Sequence, residues 1–101
     1  MFDEGMTLAL ATDLCPGCWL ESMQLVMQLA CRLYAFSPEE ALYAATAAAA
    51  QAVGLDDRGA LAPGKLADIQ VWDLPSFEDV IYRLGNNAVT MVVKRGRIYL
   101  R

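Results

Sequence analysis

Thr7-Leu8-Ala9-Leu10-Ala11-Thr12-Asp13-Leu14-Cys15-Pro16-Gly17-Cys18 is the stretch on which the fold turns. Residues 7–12 are almost wholly apolar, which suits a strand buried on both faces, as in a parallel sheet or barrel. The run stops at Asp13, and Pro16-Gly17 marks a loop from Leu14 to Cys18. In α/β barrels the C-terminal ends of the strands carry the catalytic groups. An aspartate there can ligate a metal or take a proton from an activated water. It can equally cap the loop through its own backbone. The residues alone leave both roles open.

Cys15 and Cys18 make a C-x-x-C. A redox pair needs its first Cys at a helix N-terminus, where the dipole lowers the thiol pKa. A helix does follow, but the usual βαβ context is reduced to one preceding strand. A structural zinc site needs four ligands. Only Cys31 remains, with Asp13 or Asp3 as a poor fourth. The third reading is neither, the two cysteines simply lying in a loop.

Downstream, Glu21 to Tyr34 reads as a helix. Glu21, Gln24, Gln28 and Arg32 fall on one stripe, and apolar residues cover the remaining arc. An arc that wide belongs to a helix buried on most sides. Its methionines read as packing groups. A second helix opens with Ser37-Pro38-Glu39-Glu40, a capping box with Pro at the first helical position. It runs through the Ala-rich 41–53 stretch to a stop at Gly54. Turns at 56–59 and 63–65 lead to a strand over 67–74, with Ile69 and Val71 on one face and Gln70 and Trp72 on the other. Ser76 can cap a short helix ending near Gly85. Val89–Lys94 and Arg97–Leu100 read as a hairpin. The expected order is β-α-α-β-α-β-β, an α/β chain.

Composition narrows the function. The chain has 101 residues, 56% of them apolar, with 3 Cys and no His. Globular domains average roughly 45–50% apolar even with Gly counted. Some of the surplus should face a partner, a missing domain or a membrane. Without His there is no Ser-His-Asp triad, Cys-His dyad or His-rich metal centre within this chain. The uncharged run Ala41–Leu55 falls short of the ~20 apolar residues of a membrane span. Met1-Phe2-Asp3-Glu4 is acidic where a secretory signal would be basic, so a cytoplasmic location is expected. Residues 1–57 carry a net −7 and residues 58–101 a net +3, giving −4 overall. With a pI near 4.5 the chain does not look like a nucleic-acid reader. Lys94-Arg95-Gly96-Arg97 reads as a hairpin turn, with a phosphate patch as the alternative.

Several elements recur in order: Ala11-Thr12-Asp13-x-x-Pro16-Gly17, Pro38-Glu39-Glu40-Ala41-Leu42, Asp57-Arg58-Gly59, Leu61-x-Pro63-Gly64-Lys65-x-Ala67-Asp68, and Leu74-Pro75-Ser76-Phe77-Glu78-Asp79 with Tyr82-Arg83-x-Gly85. Together they resemble the C-terminal part of the imidazolonepropionase family, within the amidohydrolase superfamily. The Pro63–Asp68 element marks the superfamily, and the 74–85 segment narrows the match. The resemblance implies a C-terminal fragment of a metal-dependent (β/α)8 barrel plus part of its small β-sandwich. It places residues 1–57 in the last barrel strand, active-site loop and two packing helices. It places residues 58–101 in the sandwich, with a short helix and a C-terminal hairpin.

The activity implied is hydrolysis of a cyclic amide C–N bond, opening imidazolone propionate to formiminoglutamate in histidine degradation. Asp13 matches the family's metal-ligating aspartate, which also handles the proton of the attacking water. The family loop reads Asp-x-Asn-Pro-Gly-Thr/Ser. Here Cys15 and Cys18 replace the Asn and the hydroxyl residue, and Gly17 is retained, so Cys15, Gly17 and Cys18 are the expected substrate contacts. Thiols are weak hydrogen-bond partners, which puts the substrate in doubt. Zinc or iron serves the full-length family. None is expected on this chain alone, because the His-x-His strand and the later metal His are not in it. The expected partners are the missing N-terminal barrel segment or further copies of the chain, with a small-molecule substrate only once the barrel is complete. A non-catalytic oligomerising module and a small thiol redox protein are the competing functions.

Overall fold

A computed structural model of the chain describes residues 8–13 and 21–100. Helix α1 (Met23–Leu33) starts where Ser22 Oγ accepts a hydrogen bond from Leu25 N. Ala35, with φ 58°, turns the chain after it. Helix α2 (Pro38–Ala45) carries the full capping box, Ser37 bonding Glu40 N while Glu40 bonds Ser37 N. The sequence predicts one helix over 38–53, but the helix breaks at Thr46 and resumes as α3 (Ala47–Ala52). Thr46 sits at φ −119°, ψ −86°, and its hydroxyl donates to Leu42 O at 2.7 Å. Such back-bonding by Thr bends helices. α3 ends as the sequence predicts, with Gly54 at φ 77°. Gly54 N donates to Gln51 O and Leu55 N to Ala50 O, the paired closure of a Schellman motif.

Strand β1 (Ile69–Trp72), helix α4 (Glu78–Tyr82), and strands β2 (Val89–Lys94) and β3 (Arg97–Leu100) complete the order. The sheet runs β1-β2-β3, antiparallel throughout. Arg95 and Gly96 close the hairpin with φ 50° and 81°, the pairing of positive angles that matches strand twist. Val71 lies opposite Met91 and Val93 opposite Ile98, with a bulge between Val71 and Trp72. Residues opposite one another share a face. One side of the sheet therefore carries Ile69, Val71, Met91, Val93, Ile98 and Leu100, all apolar. Val71, Ile98 and Leu100 of this face are exposed.

The expected strand over 7–12 is not found: residues 8–13 form no strand, and Thr7 lies outside the described residues. A strand needs a neighbouring ladder. Here Leu10 N donates instead to Ala44 O, at 2.9 Å. The break at Thr46 leaves that helix carbonyl available. α4 is also shorter than the predicted 76–84 span, and no side chain caps its start.

The core joins Met27 and Ala41 to Val80 and Ala88, with Leu10, Phe36, Trp72 and Leu74 packed around them. Between α1 and α4 the contact is polar. Gln28 is fully buried; its Nε2 donates to Val80 O (2.6 Å) and Arg83 O (3.0 Å), and its Oε1 accepts from Gly85 N (2.9 Å). One turn earlier, Gln24 donates to Asn87 Oδ1 and accepts from Ala88 N, both at 3.1 Å. One turn later, Arg32 donates to Ile81 O (2.8 Å) and Tyr82 O (3.3 Å). The predicted polar stripe is thus the face that docks α4. Its groups satisfy the last carbonyls of a helix too short to satisfy them itself.

Gln28→Leu would remove the side-chain partners of Val80 O and Gly85 N, while Arg83 O keeps Asn86 N; each buried group left unpaired costs about 1–3 kcal/mol. Urea unfolding should show a loss of at least about 2 kcal/mol, whereas Gln51→Leu on exposed α3 should stay within about 0.5 kcal/mol. Gly59 supplies a second test. A Cβ there would lie 2.9 Å from Ala50 Cβ and 3.0 Å from Thr46 O, at φ +96°. Gly64 has φ +86° with nothing within 4 Å. Gly59→Ala should therefore lower the urea midpoint more than Gly64→Ala, by the equivalent of about 1–3 kcal/mol of overpacking; equal losses would show that the close approach does not matter.

Candidate functional site

Of the residues that the sequence assigns to a site, Asp13 alone falls among the described ones. Cys15, Gly17 and Cys18 lie outside them. Asp13 is exposed and has φ 53°, a left-handed conformation that Asp tolerates better than most residues. It stands at the end of the segment that Leu10 ties to α2 through Ala44 O. Asp13 thus stands three residues beyond a backbone anchor to the helices rather than at the end of a ladder.

A catalytic metal needs a matching donor set. Zinc or iron sites of this kind draw on several imidazoles and carboxylates. The chain has no His, and among the described residues no group of three His, Cys, Asp or Glu side chains comes together. The residues described do not fit such a metal by themselves. Cys31 is partly buried in α1; desolvation raises its thiol pKa, outweighing the neighbouring Arg32, which lowers it. That is the opposite of an activated thiolate.

The Pro63–Asp68 element has a structural role that its sequence did not announce. Gly64 turns the chain at φ 86°. Lys65 Nζ donates to Asp56 O (2.7 Å) and Leu66 N to Asp57 O (2.7 Å), which ties the element to the Asp56-Asp57 turn. Asp68 then reaches the hairpin. Its Oδ1 accepts from Arg95 N at 2.8 Å, its Oδ2 takes Lys94 Nζ at 3.2 Å, and Gly96 N donates to Ala67 O at 3.1 Å. The Arg95 N–H and the Lys94 ammonium hold the Asp68 carboxyl below the usual carboxylate range. The basic cluster at 94–97 is thereby a hairpin turn with its own carboxylate clamp. An aspartate three residues after Gly-Lys was the available signal, but its partner lies 27 residues away.

An amidohydrolase-family profile matches residues 1–99. The chain belongs to the amidohydrolase family. It is 43% identical over 89 residues to an imidazolonepropionase of Pyrobaculum arsenaticum, covering 88% of this chain and 22% of that protein. It is 42% identical over 98 residues to one of Ruegeria sp., covering 96% of this chain and 24% of that protein. An imidazolonepropionase of Deinococcus radiodurans is 45% identical over 97 residues, 95% of this chain and 24% of its own length. The chain therefore spans about a quarter of the length of the curated relatives it matches. Among the described residues no helix is long and apolar enough to cross a membrane.

Two outcomes test this part of the amidohydrolase chain. Because the folded Asp68 pKa is lowered, its clamp stabilises the hairpin above the ordinary carboxylate pKa of about 3.9 and is lost as pH falls through the folded value. The protection of the Arg95 amide, relative to its intrinsic exchange rate at each pH, should fall on acidification below about pH 4. In Asp68→Asn, which keeps an acceptor without the charge, that acid dependence should disappear. With Cys15 and Cys18 both replaced by Ser, Cys31 should alkylate several-fold more slowly at about pH 8 than a free thiol of ordinary pKa.

Proposed function

We propose that the chain is the C-terminal part of an imidazolonepropionase-like amidohydrolase, and that it needs the rest of the barrel to act. The observation that carries this reading is the match to imidazolonepropionases at 42–45% identity over 88–96% of the chain. The reaction of the completed enzyme is hydrolysis of the cyclic amide C–N bond of imidazolone propionate, giving formiminoglutamate in histidine degradation. Asp13 is its catalytic carboxylate and one metal ligand, and Cys15, Gly17 and Cys18 line the substrate loop. Zinc or iron belongs to the completed barrel. The single carboxylate this chain brings does not hold it, and no catalytic step is assigned to the isolated chain. The setting is cytoplasmic.

The partner is the missing N-terminal barrel segment. Support comes from the sheet, whose face formed by Ile69, Val71, Met91, Val93, Ile98 and Leu100 is all apolar, with Ile98 62% and Leu100 77% exposed. A surface of that kind is costly in water and suits a second layer. The same observation favours one other reading, a non-catalytic module that pairs with copies of itself through this face.

The experiment compares the purified chain with the chain co-expressed with the remaining portion of the Deinococcus radiodurans relative. Alone it should show neither stoichiometric metal nor imidazolone propionate hydrolysis. Co-expressed it should show both, and Asp13→Asn should abolish turnover. Turnover and stoichiometric metal in the chain alone would overturn the proposal. A discrete homo-oligomer with no activity on co-expression would establish the second reading instead.

A further inference from the structure

We draw no further inference here: the strongest candidate, the cleft of about 620 Å³ between α1, α2 and the sheet, lined by Met23, Met27, Leu42, Trp72 and Val92, carries nothing because nothing in the structure shows what covers it.

Discussion

The buried amide of Gln28 is the constraint around which the helical part is arranged. It donates to Val80 O and Arg83 O and accepts from Gly85 N. α4 has five residues, fewer than the roughly 12–15 that make an isolated helix even marginal. It persists because side chains of α1 replace the hydrogen bonds its own length cannot supply. Gln24, Gln28 and Arg32 stand four residues apart and so project from one side of α1. Each meets a successive piece of the chain between Val80 and Ala88. Once they are engaged, Val80 and Ala88 are carried into the core beside Met27 and Ala41. A polar contact thus sets the register for an apolar one, and its direction makes that register unique in a way that apolar burial alone does not.

The sheet is held by a different device. Asp68 grips the turn of the β2–β3 hairpin from the start of β1, while Lys65 and Leu66 fasten the same strand to the Asp56-Asp57 turn. These bonds are at the surface, where ion pairs contribute little. The backbone acceptance from Arg95 N matters more, because it fixes a residue at φ 50°. The Pro-Gly-Lys-x-Ala-Asp element of this amidohydrolase-family chain is in this light a folding signal. It places a turn, a lysine and an aspartate so that one strand binds both its predecessor and its successor.

Legibility followed the range of the interaction. Ser37-Pro38-Glu39-Glu40, Gly54 and Arg95-Gly96 act within a few residues, and all three were readable as caps or turns. The break at Thr46 was not, since a single Thr within the Ala-rich 41–53 run is compatible with a continuous helix. At the break, Thr46 bonds back to Leu42 O, Leu10 N donates to Ala44 O, and Gly59 lies so close to the start of α3 that a Cβ on it would stand 3.1 Å from Ala47 Cα. The stripe through Gln24, Gln28 and Arg32 was visible, but periodicity names a face and not its partner. Residues 7–12 carried the pattern of a buried strand, yet a pattern cannot supply the neighbours that make a ladder. At the site, Asp13 was singled out by its place after that run, and its left-handed backbone suits the turn reading and the catalytic one alike.

The apolar surplus and the absent histidines have separate physical origins. The wide apolar arc of the 21–34 helix predicts burial on most sides, and much of α1 is covered: Val26, Met27 and Ala30 are buried. Among the exposed apolar groups are Leu33 and Tyr34 at the end of α1, Tyr82 and Leu84 at the end of α4, and Val71, Ile98 and Leu100 on one face of the sheet. These are margins, where one layer ends and a further layer would begin. The histidine deficit concerns the site instead. Caps, turns and strand clamps are built from residues close in sequence or joined within one supersecondary unit, so a piece about a quarter the length of its relatives can retain them in full. A metal centre gathers donors from several strands around a barrel, and any such piece inherits only its share. Family membership is accordingly plain in the sequence match over residues 1–99, whereas the described residues bring no group of three potential metal ligands together.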